Sequence, residues 1–325
     1  MTLEFRIGAD ENGLGARLGP LVVTAVLARV SEAGQRVLSR RLPRTIRPDL
    51  DDSKRLVAHG NVALGEAWAR VVGGLDAATP EALIGRLALE DAAALRAPCP
   101  GHVEAQCWSP AGEKFDADDE LLSRIGRHRA TLAERGVEIV CAKSSIVCTK
   151  LLNDARRRGH SRFSADLHAM ERLVLALRDT AGEPVVATCG KVGGIDDYDR
   201  FFGPLSGWLH TTLEQTRRRS SYHFPKIGRL SFLMDADAKD PLVMLASLIG
   251  KWVRELLMAR VARFYGAGSD AGPPDASGYN DPVTDRFVEQ TALVRRKRRV
   301  PDTCFERESE GPFVAAVAGA EHADG

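Results

Sequence analysis

The chain has 325 residues, of which 44% are hydrophobic and 27% charged, with 45 basic side chains against 44 acidic ones. This is enough material for a sizeable core in two ordinary domains or one elaborated α/β domain. A formal charge of +1 gives no global attraction for a polyanion, so any such partner has to be met by a local patch.

From the N-terminus, Leu3, Phe5 and Ile7 alternate with Glu4, Arg6 and Gly8, the period of a half-buried strand that runs into Asp10-Glu11. The opening has early charges and no apolar h-region, so no signal peptide is expected. No window of about 18 apolar residues suggests a membrane span. After glycines 13, 15 and 19, Pro20 introduces LVVTAVLARV, a β-branched second strand. Ser53 caps a helix running to about Val72, residues 74–116 read as an irregular insertion with one short helix, and a helix is expected over about 118–135. VEIVCAKSSIV is a strand, Ser164 begins a helix ending near Gly182, and residues 184–188 form a short buried strand. RLSFLMDADAKDP reads as a strand ending at Asp237, then Asp240 as N-cap and Pro241 at the first position of a long amphipathic helix. A Gly/Pro/Asp/Ser loop covers 266–278, and a last helix spans Pro282 to Leu293 before the basic run 295–299. Strands alternating with helices indicate α/β architecture.

Six cysteines at 99, 107, 141, 148, 189 and 304 form no Cys-x-x-Cys pair, which argues against structural zinc or disulfides and fits a reducing cytoplasm. Cys141 and Cys148 read as core thiols, and His168 as a packed or polar-facing residue rather than a catalytic one. Gly13-Leu14-Gly15-Ala16-Arg17-Leu18-Gly19 does not suit a dinucleotide turn, because strand rather than helix follows it and two carboxylates precede it. Carboxylates at strand ends suit another task. Asp10, Glu11 and Asp237 sit where neighbouring strands can converge, and such oxygen clusters hold Mg²⁺ or Mn²⁺. Two ions can activate water and stabilise the leaving oxygen of a phosphodiester. The alternative for these residues is a polar turn and a solvated helix cap.

Ile7-Gly8-Ala9-Asp10-Glu11-Asn12-Gly13-Leu14-Gly15 with Gly19-Pro20-Leu21 resembles the opening signature of the type 2 ribonucleases H, the HII and HIII group. In the same order, Asp52-Ser53-Lys54 resembles that family's Asp-Ser-Lys segment. Ala236-Asp237-Ala238-Lys239 with Ser247, Lys251 and Arg254 is similar to its strand-to-helix motif, and Ser277-Gly278-Tyr279 to its Gly-Tyr segment. Val294-Arg295-Arg296 resembles the basic stretch that follows. These blocks cover about half the chain, and residues 65–155 lie mostly outside them.

The resemblance implies a ribonuclease H-like mixed central sheet flanked by helices over 1–265, with the insertion at about 74–116, and a helical extension over 266–310; residues 311–325 read as a disordered tail. It implies cleavage of RNA in RNA/DNA hybrids, or at ribonucleotides in duplex DNA, with Asp10, Glu11 and Asp237 holding two divalent ions, Mg²⁺ or Mn²⁺. Gly13, Leu14 and Gly15 match the loop whose backbone meets the ribose 2′-OH. Tyr279 matches the tyrosine that stacks on the following sugar, Arg295 and Arg296 are substrate-binding candidates, and Lys54 is either a phosphate contact or a solvated lysine. Arginine clusters 156–158 and 217–219 are phosphate contacts or solvated faces. Two departures stand out: Leu14 replaces an Arg of the HII signature, and the third metal carboxylate falls on Cys189 or Gly190, neither acidic. The alternative function is therefore a catalytically impaired or inactive ribonuclease HII-like nucleic-acid-binding protein.

Overall fold

The computed structural model describes residues 3–40, 42–102, 105–108, 112–192, 195–266 and 275–309. The expected 311–325 tail and most of the expected 266–278 loop lie outside them. In chain order the elements are β1 (Leu3–Asn12), β2 (Leu21–Ser31), α1 (Glu32–Leu38), α2 (Ser53–Leu56), α3 (Ala63–Gly73), α4 (Pro80–Leu87), α5 (Ala92–Arg96), α6 (Asp119–Glu134) and β3 (Val137–Val147). Then follow α7 (Thr149–Arg157), α8 (Arg162–Ala181), β4 (Val185–Gly190), β5 (Thr211–Gln215), β6 (Arg219–Phe224), β7 (Gly228–Leu233), α9 (Pro241–Gly266), α10 (Pro282–Lys297) and α11 (Asp302–Phe305).

Among the described residues seven strands form one mixed sheet in the order β3-β2-β1-β4-β7-β6-β5. The strand β1 pairs antiparallel with β2 and parallel with β4, and β4 is parallel to β7. The expected mixed sheet flanked by helices is therefore what forms. Both faces are covered, which is why β2 reads as a continuous apolar run rather than a strict alternation. Val22, Val26 and Val30 pack under α3, α6 and α9, whereas Leu21, Val23, Ala25 and Leu27 pack under α8.

Several boundaries differ from expectation. The helix expected from Ser53 to Val72 is two helices, α2 and α3, broken where Gly60 takes φ +73°. β7 stops at Leu233 rather than Asp237, because Asp235 adopts φ 56° and a 3₁₀ turn over Ala236–Ala238 follows. The helix α9 is buried on most of its circumference rather than amphipathic, having sheet on one side and α3 on another. Gly8 makes this possible: a Cβ there would lie 2.4 Å from the Leu242 carbonyl carbon and the Val243 nitrogen. The described residues of 74–116 hold two helices and a 3₁₀ turn at Gln106–Trp108, and Leu83, Ile84, Leu87 and Trp108 join the core. Among the described residues no helix is long and apolar enough to cross a membrane.

Glu171, buried on α8, accepts hydrogen bonds from the backbone nitrogens of Gly203 (3.1 Å) and Leu205 (2.8 Å). Burial pushes its carboxyl up from the ordinary 4.5 to about 7, against the pull of those amides and Arg172. Because the folded state holds this proton more tightly than the unfolded one, the stabilisation is full below about pH 4.5 and is lost as pH rises through about 7. Glu171→Gln is expected to remove up to roughly 3 kcal/mol of that pH dependence. Melting curves of parent and variant across this range check it, and identical pH slopes would count against it.

Candidate metal and nucleic-acid site

The site is assembled at one end of three adjacent strands. β1 carries Asp10 and Glu11 on opposite faces. Ile7 and Ala9 pack with the α8 core, which puts Glu11 on the α8 side, whereas Asp10 shares the side of Gly8 and α9. Asp10 is buried, and Ser247 of α9 hydrogen-bonds its carboxyl. On α9's approach, the 3₁₀ turn presents Asp237, whose Oδ2 accepts a hydrogen bond from Lys54 Nζ at 2.9 Å. Lys54 is held there by its neighbours: Asp52 caps α2 through the Lys54 nitrogen (2.9 Å), and the buried Ser53 hydroxyl meets that of Ser247 at 2.8 Å. The Asp-Ser-Lys segment thus reads as cap, anchor and exposed ammonium. Lys251, half-buried on α9, faces Asp52, Asp10 and Asp237 as well as Lys54, and burial lowers its pKa.

The register decides between the two positions for the missing acid. Ala9 lies opposite Cys189, so Asp10 lies beside Gly190. Cys189 is buried in the α8-side core, and burial pushes its thiol far above the usual range. A Cβ on Gly190 would stand 2.9 Å from Asp10 Oδ1 and 3.3 Å from Glu11 Oε2. The glycine leaves a cradle directly against both carboxylates.

Electrostatically the cluster is under strain. Burial, followed by repulsion from Glu11, raises the Asp10 carboxyl well above the ordinary carboxylate range. Glu11 is pushed to about 8, by burial first and then by Asp166. Asp166, on α8, is raised by burial and then by Asp10. The sequence reading missed this residue; its signal was an acid standing four residues before Met170 on the apolar stripe of α8. Such a set of hard oxygen donors, short of positive charge, fits a hard divalent cation. Among the described residues, no group of three or more His, Cys, Asp or Glu side chains is placed so that it could hold a metal ion as it stands.

The glycine loop lies beside the carboxylates. Gly13 takes φ +88°, and Gly15 is exposed with open space around its Cα. The loop is held from the far end of the chain. Arg307, buried, donates to the carbonyls of Gly13 (2.5 Å), Leu14 (3.2 Å) and Gly19 (2.8 and 3.0 Å). No sequence signal marked Arg307. The nitrogens of Arg17 and Leu18 donate to Gly278 O at 2.8 and 2.9 Å, which seats the Gly-Tyr segment on the same loop. Tyr279 is 42% exposed and Arg254 stacks 4.4 Å over its ring, so the ring's position is fixed while much of it faces solvent.

The basic candidates divide. Arg295 turns inward, donating to Val288 O (2.8 Å) and Thr291 Oγ1 (2.5 Å) and lying 3.9 Å over the Phe305 ring. Arg295 is thus engaged within the protein, because α10 runs on to Lys297 and carries it onto its packed side. Arg296 is exposed. Arg157 pairs with Glu308 at 2.6 Å. Arg217 and Arg218 are exposed at the β5–β6 turn. Arg218 O accepts from Met234 N at 2.9 Å, which places that turn at the carboxylate end of the sheet. His168 bonds Phe201 O at 2.9 Å, the packed role expected. Cys141 and Cys148 are only partly buried, short of the fully core position expected.

No protein-family model and no curated protein matches the chain. Among solved structures it is similar to ribonuclease HII in its PCNA complex from Archaeoglobus fulgidus, at 17% identity over 94% of this chain and 96% of that one, TM-score 0.44. It is also similar to ribonuclease H2 from Pyrococcus horikoshii OT3, at 18% identity, 93% and 92% coverage and TM-score 0.46. A third is Bst-RNase HIII in complex with Mn²⁺, at 14% identity, 98% and 71% coverage and TM-score 0.45. At these scores the likeness decides nothing about chemistry, which rests on this chain's own residues.

Proposed function

We propose that the protein is a divalent-metal-dependent endonuclease acting on the RNA strand of RNA/DNA hybrids, or at ribonucleotides within duplex DNA. The observation that carries this reading is that Asp237 and the Gly278-Tyr279 segment, both distant in sequence, come to the Asp10-Glu11 strand end and the Gly13–Gly15 loop that follows it. The orphaned buried oxygens of Asp166, and the Asp10 and Glu11 carboxylates that crowd over Gly190, suit Mg²⁺ or Mn²⁺ as hard oxygen donors. Asp10, Glu11 and Asp237 would hold the ions, which supply Lewis-acid stabilisation of the charge that builds on a phosphodiester under attack by water. Lys54 and Lys251 add positive charge at the edge of the carboxylate cluster. The exposed backbone at Gly15 can meet a 2′-OH, the group that separates RNA from DNA, and Tyr279 offers a fixed ring for a sugar. Leu14 contributes its backbone to the loop, which needs no Arg side chain.

Cleavage of a labelled hybrid in Mg²⁺ and in Mn²⁺, with duplex DNA as control, tests the reading. Salt-sensitive hybrid binding without turnover would instead favour the non-catalytic alternative, which the missing side chain at Gly190 supports. The exposed Arg217-Arg218 turn is expected to touch the phosphate backbone. Replacing both by Ala should weaken hybrid binding and lower the salt slope of log K by roughly 0.9 for each phosphate no longer neutralised. Binding titrations at several salt concentrations measure this, and an unchanged slope removes the turn from the interface.

A further inference from the structure

Helix α8 faces the sheet with Leu167, Met170, Leu173, Val174 and Leu177, all core residues. Asp166 stands on the same stripe, 1% exposed. A buried carboxylate is costly unless it is hydrogen-bonded or paired, and neither holds here: both Oδ1 and Oδ2 are buried without a hydrogen-bond partner. No basic side chain among the described residues pairs with it. Glu171, five residues on, is equally buried but is explained by the two backbone amides it accepts from. The electrostatic neighbours of Asp166 are instead Asp10, Glu11 and Cys189. Glu11 leans to the α8 side of β1, and Gly190 puts no side chain between them and the site.

We propose that Asp166, reaching the site from α8, is a metal-holding carboxylate that takes over the role left unfilled by Gly190 at the end of β4. The inference rests on the divalent-metal reading above and extends it to a residue that no motif contains. A carboxyl with no hydrogen-bond partner in the polypeptide gains one when a cation sits between α8 and β1. The donor count lost at the strand end is then restored from a helix.

Mn²⁺ binding to the full chain, followed by calorimetry and by the electron paramagnetic resonance of free Mn²⁺, tests this without relying on turnover. Asp166→Asn is expected to weaken Mn²⁺ binding about tenfold or more. Its metal-free melting temperature should hold or rise, since a buried acid is replaced by a neutral isostere. Adding Gly190→Asp to Asp166→Asn should recover most of the affinity. Its Cβ needs only a small swing of the Asp10 carboxylate, 2.9 Å away. If Asp166→Asn binds Mn²⁺ as tightly as the parent while Asp10→Asn does not, the assignment of Asp166 fails and the metal site stands. If the parent itself binds no Mn²⁺, both fall.

Discussion

Asp10→Asn is expected to lose metal-dependent hybrid cleavage by about 10³-fold, the scale of several kcal/mol of charge stabilisation at the reacting phosphate. Asp10 lies between the two groups of donors: Glu11 and Asp237 both raise its pKa, and Ser247 steadies its carboxyl from α9. Asn keeps the shape and removes a buried acid, so the metal-free melting temperature is expected to hold or rise. Activity and stability moving in opposite directions would separate chemistry from folding. A variant that cleaves as fast as its parent would remove Asp10 from the mechanism.

The largest stability effect is expected at Arg260. Its side chain is 0% exposed within α9. It pairs with Glu113 and, at 2.6 Å, with Glu81, and it donates to Cys107 O at 3.3 Å. All three partners come from the stretch between α3 and α6. Arg260→Ala leaves the buried Glu113 carboxylate with only the exposed Arg263 beside it, and breaking such a buried pair costs about 3–5 kcal/mol. Chemical denaturation checks the figure. Arg260→Met combined with Glu113→Gln should recover part of the loss, because it removes the stranded charge along with its partner. A loss below about 1 kcal/mol in the single variant would show that solvent reaches the pair.

Much of this was legible in the sequence where physical signals are local. β1 announces itself by its alternation and β2 by a β-branched run, α9 by Asp240 and Pro241, and α6 by Asp118, whose carboxylate accepts from the Leu121 nitrogen. The carboxylates Asp10, Glu11 and Asp237 were legible for the same reason, each standing at a punctuated end. The hairpin β5–β6 was not. Thr211–Gln215 is exposed along its whole length and carries no apolar face, so its pairing is set by β6 rather than by its own pattern. The helix α7 was not legible either: it is only nine residues long and mostly polar, and its N-cap Cys148 offers no side-chain cap. The choice between Cys189 and Gly190 needed the register of β4 against β1, a long-range fact. Asp166 needed more, since only packing reveals that an acid on an apolar stripe has nothing to bond.

The loop that would meet the ribose is fastened by Arg307, and the hydrogen bond from Arg307 to Gly13 O spans 294 positions in sequence. A contact of that separation closes late, because the entropy of a long loop must be overcome first. During synthesis the strand bearing Asp10 and Glu11 can pair with β2 almost at once, while the glycine turn beside them waits for the α11 segment to emerge and dock. The carboxylate-bearing strand and the glycine turn beside it are therefore completed at different times. A nascent or truncated chain lacking residue 307 would possess the first without the second.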